Sequence, residues 1–355
     1  MSQALHKNQE SCYNGRWGKE ISQMKRLIAI TVGIAVILAV ALAVLLRSPL
    51  RSLLTFHQVD DYPLYVMHLY QDYHFDDLLK TGAQADVVLP FGQPATAENW
   101  ACTCFSAFGL PGQAILGRNF DWYNRPTLLL FTHPPHGYDS VSMVDISYLG
   151  FGTEEPSWSD RLRLLDAPYL PFDGMNERGL AVGMMAVPYA QATNDTNKVT
   201  IDSLAAIRLL LDQAQSVDEA LPLLGAYNVD WGSGPPLHYL IADSSGDSAV
   251  VEFVGGEMKV LRNEQPWQVA TNFVLSGHSP ESAMLQCNRY AAASRTLEQA
   301  QGGVSPEEAM AILASVSNVG TIWSVVYDME GGQIAVAMGH NYAQIHHFDL
   351  TMKKE

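Results

Sequence analysis

The chain has 355 residues, 48% hydrophobic and 16% charged, enough for one large domain with additional segments. Seven of its 21 Lys/Arg but only two of its 37 Asp/Glu fall in residues 1–51; the remainder is strongly acidic, which argues against nucleic-acid binding through basic patches. Four cysteines, at positions 12, 102, 104 and 287, are too few for a dense disulfide framework and leave a Cys104–Cys287 bridge or buried free thiols as the alternatives.

The first element is the run Leu27–Leu46, twenty residues without a charge. A helix of that length spans about 30 Å, the hydrocarbon thickness of a bilayer. Lys7, Arg16, Lys19, Lys25 and Arg26 precede the run, and Arg47 and Arg51 follow it. The positive-inside rule then makes residues 1–26 a cytoplasmic tail and 27–46 a transmembrane signal-anchor, with the bulk of the chain outside the cytoplasm. A cleaved signal peptide is the competing reading and would give a secreted protein, with Met24-Lys25-Arg26 as an internal start and Ala41-Leu42-Ala43 as a weak cleavage site. Residues 47–101 form a separate piece of mixed character, with a short amphipathic helix expected around Leu64–Leu79.

Between Ala101 and Trp122 a thiol, a cation and a carboxylate are tied together by a readable hairpin. Cys102–Phe108, Gly109-Leu110-Pro111-Gly112 and Gln113–Trp122 read as strand, turn and strand. A four-residue turn sets Phe108 opposite Gln113 and Cys102 opposite Asn119. Side chains alternate along a strand, so Asp121 then shares a face with Cys102, and Arg118 points the other way unless a bulge intervenes. On these residues alone, Cys102 is either a small core hydrophobe or a nucleophile.

Further along, Ser248–Val254 and Glu257–Leu261 flank Gly255-Gly256, a two-residue hairpin signal, and Ile322–Tyr327 and Gln333–Ala337 flank a second glycine pair. A strand over Trp267–Ala270 leads to Asn272. Helical periodicity covers Asp202–Ala214 with Thr200 as the cap, Pro280–Gln299, and Pro306–Val316 after Ser305. Strands at both ends with helices between them suit an α+β fold of two stacked sheets covered by helices.

Cys102-Thr103, followed by Gly117-Arg118-Asn119-Phe120-Asp121 with the Arg sixteen residues after the Cys, resembles the start of the mature chain in the choloylglycine hydrolase family of N-terminal-nucleophile (Ntn) amidases. That family includes bile salt hydrolases, penicillin V acylases and, more distantly, acid ceramidase and N-acylethanolamine acid amidase. Asp173-Gly174-Met175-Asn176-Glu177-Arg178-Gly179-Leu180 is similar to its D-G-x-N-E-K-G-L segment, and residues 237–252 resemble its central hairpin. Ala270-Thr271-Asn272 sits where its catalytic Asn follows a Thr, and Cys287-Asn288-Arg289-Tyr290 fits the region of its later Arg. Counted from Cys104, the spacing to Arg118 is two residues too short.

The resemblance implies a four-layer αββα sandwich over the catalytic domain, residues 102–355, preceded by the transmembrane helix. Residues 47–101 would be a propeptide or linker ending at the Ala101–Cys102 bond, the alternative being a permanent N-terminal subdomain; cleavage would leave anchor and catalytic domain as separate chains. Cys102 would be the nucleophile, Asp121 would hold its α-amine, Asn272 would donate to the oxyanion and Arg289 would support the charge. Arg118 would favour the thiolate of a group whose ordinary pKa is about 8.5. An α-amine with pKa about 7.7–8.0 can take and return a proton at neutral pH.

One position departs from the pattern. Bile salt hydrolases carry a second Asn, and penicillin V acylases a Tyr, where this chain has Ala186. A backbone N–H of Thr103, or one near Val187, is the expected substitute donor. The substrate class left is N-acyl amides generally, with Trp122, Met184 and Ala186, and further Tyr123, Met185 and Tyr189, as candidates for lining an acyl pocket. No cofactor is implied, and neither His346-His347 nor Cys102/Cys104 has metal-ligand spacing. The alternative of a different class is a membrane-tethered binding module without turnover. Arg118 and Asp121 would then be a structural ion pair, Asn272 a turn residue and Arg289 a solvated helix residue.

Overall fold

Two β-sheets stacked face to face, each covered on its outer side by helices, build the body of the computed structural model, which describes residues 2–82, 101–122, 126–232 and 234–353, with side chains from Met24 onward. The larger sheet runs in the order β1 (His57–Asp60), β2 (Leu64–Leu69), β5 (Thr127–Thr132), β6 (Ser140–Asp145), β7 (Pro171–Asn176), β8 (Ala181–Ala186), β11 (Leu237–Ala242), β12 (Ser248–Val254) and β13 (Glu257–Arg262). The smaller runs β14 (Trp267–Ala270), β3 (Thr103–Ala107), β4 (Ile115–Asp121), β15 (Thr321–Asp328), β16 (Gln333–Met338) and β17 (Ile345–Asp349). A short parallel pair, β9 (Thr200–Asp202) and β10 (Asn228–Asp230), stands apart.

Strands β5 to β8 and β11 are buried nearly throughout because one face meets the other sheet and the opposite face meets helices or loops. Helix α3 (Ser203–Gln213) packs on β7 and β8, and α6 (Asn288–Gln299) and α7 (Pro306–Ser315) cover β14, β3, β4 and β15. Contacts of β3 and β4 with β8, and of β14 with β12, close the interface between the sheets. The four layers are therefore α, β, β, α. Phe105, Ile115, Leu297, Leu313 and Val326 form a second core between the smaller sheet and its helices.

Local signals fix several of these elements. Gly255 and Gly256 both have positive φ, 66° and 77°, as a two-residue hairpin of this hand requires. Ser305 caps α7 and forms a reciprocal capping box with Glu308. Helix α3 is capped by Asp202, whose carboxylate accepts from the N–H groups of Leu204 and Ala205; Thr200 lies in β9 instead. The helix expected over Pro280–Gln299 is two, α5 (Pro280–Ala283) and α6, because Cys287 is extended at φ −149° and restarts the chain. That restart puts Arg289 in the first turn of α6.

The hairpin register differs from the expected one. The chain turns at Leu110-Pro111-Gly112-Gln113, with Gln113 N–H donating to the Leu110 carbonyl and Gly112 at φ 74°, a type II geometry with Pro and Gly in their favoured places. Phe108 and Gly109 leave the ladder to donate to Pro266 and Gly302, so Ala107 pairs with Ile115 and Cys104 with Arg118. This is a one-residue slip, and it moves Arg118 onto the face of Cys104 and Asp121 onto the other.

Upstream of Cys102, Leu64–Leu69 is strand β2 rather than the first half of an amphipathic helix; the helical turn, α2, comes later at Phe75–Thr81. β2 pairs in parallel with β5 from Leu64–Thr127 to Leu69–Thr132, and Leu64, Tyr65, Val66, Met67 and Leu69 are buried in the main core. Tyr73 donates to the buried Asp212 of α3. Residues 57–81 are thus built into the larger sheet and its helix layer. Residues 83–100, between this piece and Ala101, lie outside the described residues. Residues 1–50 form a separate unit, the greater part of helix α1 (Ser2–Leu54); its segment from Met24 is long and apolar enough to cross a membrane, and fits an anchor or a signal sequence alike.

A close approach between the sheets, at Gly183, tests the packing. A Cβ on Gly183 would lie 2.9 Å from Cys104 Sγ and 3.0 Å from Arg118 Cδ. Gly183→Ala is expected to destabilise the protein by about 1–3 kcal/mol, read as a lowered midpoint in urea denaturation.

Candidate active site

Cys102 immediately precedes β3, 4% exposed, with its Sγ 4.0 Å from the backbone oxygen of Asp121 at the end of β4. Arg118, three residues earlier on β4, is fully buried between the sheets. Its guanidinium forms an ion pair with Asp173 of β7 and donates to the carbonyls of Phe172 at 3.0 Å and Met184 at 2.6 Å. Asp173 also accepts from Trp323 Nε1 at 3.1 Å and from the Tyr327 hydroxyl, both on β15. The carboxylate partner of Arg118 is therefore Asp173 and not Asp121.

This arrangement corrects the expected effect on the thiol. Burial pushes Cys102 above its ordinary pKa, Asp121 adds to the rise, and the pull of Arg118 and Arg289 toward the thiolate is insufficient to reverse it. Cys104, also fully buried beside Arg118, is pushed up in the same way. Cys102, Cys104 and Cys287 are all free thiols.

Asp121 is 1% exposed. The Thr321 hydroxyl donates to its Oδ1, while Oδ2 has no hydrogen-bond partner among the described residues. Burial raises the Asp121 carboxyl to about 6, against the opposing effects of Thr321 and the two arginines.

Asn272 and Arg289 meet on the far side of Cys102. Arg289 Nη1 donates to the carbonyls of Ala101 and Cys102 and to Thr103 Oγ1 at 3.0 Å, and Nη2 donates to Asn272 Oδ1 at 3.1 Å. Asn272 Nδ2 donates to the Ala186 carbonyl at 2.7 Å. One guanidinium thus spans the Ala101–Cys102 bond and the Asn272 amide. Ala186 contributes a backbone acceptor at the position where a side-chain donor would stand, and the N–H of Val187 is already given to Pro236 at 2.8 Å, which removes it as a substitute oxyanion donor.

Cys102 and Arg118 open onto a cavity of about 180 Å³ whose walls include Phe120, Trp122, Tyr148, Phe172, Met184 and Trp231. Trp122, Met184 and Ala186 all line it; Met185 is buried away from it, Tyr189 is 90% exposed on the surface, and Tyr123 lies outside the described residues. A mostly apolar wall, five of its residues aromatic, with a few polar groups suits an apolar moiety attached to a polar reacting group. Asp173 and Thr321 were not singled out from the sequence. Asp173 opens the segment with Asn176 and Glu177, but its orientation toward Arg118 depends on sheet stacking. Among the described residues no cluster of His, Cys, Asp and Glu has the geometry to hold a metal ion.

The shift of Asp121 has a measurable consequence. Its folded carboxyl titrates near 6 instead of 3.8, so folding retains a proton that the unfolded chain releases. The associated stability is fully present below pH 3.8 and is lost as pH rises through about 6. Asp121→Asn should flatten that part of the stability profile when urea midpoints are compared between pH 4 and pH 7.

The model of the linear amide C–N hydrolases, choloylglycine hydrolase family, matches residues 102–274. A penicillin V acylase of Pectobacterium atrosepticum is 31% identical over 111 residues, 28% of this chain and 29% of that protein. An uncharacterised protein of Paramecium bursaria Chlorella virus 1 is 32% identical over 120 residues, 31% of this chain and 42% of that protein. The chain spans less than half the length of these relatives. Among solved structures, the conjugated bile acid hydrolase of Clostridium perfringens superposes with a TM-score of 0.54 at 19% identity, covering 71% of this chain and 93% of that one. The penicillin V acylase of Agrobacterium tumefaciens gives 0.50 at 19% identity, covering 70% and 86%. These likenesses agree with the four-layer fold. Over residues 102–274 the chain is therefore similar to the linear amide C–N hydrolases of the choloylglycine hydrolase family.

Proposed function

We propose that this protein is a cysteine Ntn amidase that cuts its own chain before Cys102 and then hydrolyses N-acyl amides with an apolar acyl group. The observation that carries the reading is the grip of Arg289 on the carbonyls flanking the Ala101–Cys102 bond, with the Cys102 thiol beside Asp121 at the wall of an aromatic cavity. In self-cleavage Sγ attacks the Ala101 carbonyl carbon, the oxyanion forms on the oxygen that Arg289 already holds, and the C–N bond breaks with the Cys102 nitrogen leaving as an amine. Water then hydrolyses the thioester.

The liberated α-amine is the base that the uncut site lacks. Oδ2 of Asp121 offers it an ionic acceptor, and a cationic neighbour would draw that carboxyl back down from about 6. In turnover the amine takes the thiol proton and later gives it to the leaving amine, through a thioester acyl-enzyme. Asn272 and Arg289 supply charge-stabilising donors, each worth about 3 kcal/mol in such sites. The acyl chain occupies the cavity bounded by Trp122 and Met184. Residues 27–46 tether the body outside the cytoplasm, five basic residues before the run against two after it supporting that orientation.

The N-terminal sequence and intact mass of the purified wild type beside Cys102→Ala test this. A new N-terminus at Cys102, absent from the variant together with all amidase activity, is the expected result. An uncut wild-type chain would instead favour the binding module. Because β2 is an internal strand of the larger sheet, the two chains of the cut protein should co-elute in native size exclusion and separate only in denaturant; early separation would restore a detachable propeptide.

A further inference from the structure

Behind the site lies a buried pair that the chemistry above does not use. His238 on β11 and Glu252 on β12 are adjacent on neighbouring strands, one step beyond the Tyr239–Val251 pair, and are 0% and 1% exposed. His238 Nδ1 lies 3.2 Å from Glu252 Oε1, and Nε2 lies 2.7 Å from the backbone oxygen of Thr271. Glu252 accepts in addition from the N–H groups of Leu275 at 2.5 Å and Ser276 at 2.8 Å. Burial alone would raise the Glu252 carboxyl, but His238, the Ser276 side chain and the Leu275 N–H together outweigh it and hold it below the ordinary range.

A carbonyl oxygen only accepts, so Nε2 donates to Thr271, while Nδ1 faces the Glu252 carboxylate. The other backbone bonds of the pair go to one segment, Thr271–Ser276. Asn272 lies inside that segment, and among the described residues its side chain bonds to Ala186 and Arg289. The pair comes from the larger sheet, whereas the segment continues β14 of the smaller sheet.

We infer that His238 and Glu252 are positioning residues that clamp the Thr271–Ser276 segment across the two sheets and so hold the Asn272 amide in register with Arg289 and Cys102. The inference rests on the amidase reading for its kinetic consequence but not for its structural one.

The test uses the full chain with His238→Ala, His238→Gln and Glu252→Gln, each also combined with Asn272→Ala. Displacing a positioned donor by about 1 Å can cost about a hundredfold. His238→Ala should lower kcat for an N-acyl amide by about tenfold to a hundredfold with KM within about twofold, as for an interaction made only in the transition state. His238→Gln, which keeps a donor for Thr271, should recover part of the loss, and neither change should lower activity further once Asn272 is alanine. Unchanged kcat in folded His238→Ala, or losses that multiply in the double variant, would overturn the proposal. If His238→Ala does not fold, His238→Gln and Glu252→Gln carry the same comparison. A crystal structure of the variant supplies the arm independent of turnover: the 2.7 Å contact from Asn272 to Ala186 should be lost, and its persistence would refute the clamp. A wild type that turns over no N-acyl amide would sink the amidase reading alone.

Discussion

The ion pair between Arg118 on one sheet and Asp173 on the other is the constraint around which this molecule is arranged. Taking two such charges out of water costs several kcal/mol per ion, recovered only where geometry and additional hydrogen bonds are good. Here Phe172 and Met184 carbonyls complete the guanidinium, and Trp323 and Tyr327 complete the carboxylate. Gly183 leaves the space that the arginine stem and Cys104 fill. The pair therefore fixes the spacing and sliding of the two sheets at the point where Cys102 emerges.

That commitment decides the electrostatics of the site. Arg118 is the strongest pull on the Cys102 thiol toward its thiolate, yet desolvation prevails and keeps the thiol above its ordinary pKa. Asp121 is subject to the same balance, with one oxygen satisfied by Thr321 and the other without a hydrogen-bond partner among the described residues. Arg289 donates to two carbonyls, a hydroxyl and an amide oxygen, and among the described residues it forms no ion pair. The two arginines therefore differ in kind, one bracing the sheets and the other addressing the chain at Ala101–Cys102.

Regions that the sequence made legible are those whose geometry is set within a few residues. Gly255-Gly256 specifies its hairpin because both positions need positive φ, and Ser305 with Glu308 specifies the start of α7 through reciprocal capping. The family blocks put Cys102, Asn272 and Arg289 in one neighbourhood, and the structure joins them through a single guanidinium. Where reading failed, the deciding contact was distant. The hairpin register slipped by one because Phe108 and Gly109 bond to Pro266 and Gly302 rather than to each other's strand. Leu64–Leu69 became a strand because β5 offered it a parallel edge.

By itself, the sequence determined the glycine-pair hairpin at Gly255-Gly256, the capped start of α7 at Ser305, the acidic body after an apolar N-terminal run, and which residues are candidates for chemistry. These follow from side-chain identity acting over a turn or two of chain. Tertiary structure alone decided which face Arg118 occupies, that Asp173 and not Asp121 is its partner, that the piece before Cys102 is woven into the sheet, and that His238 and Glu252 reach across to the loop of Asn272. Each is a pairing between strands far apart in sequence, where a shift of a single residue reverses every side chain and no local propensity records the choice.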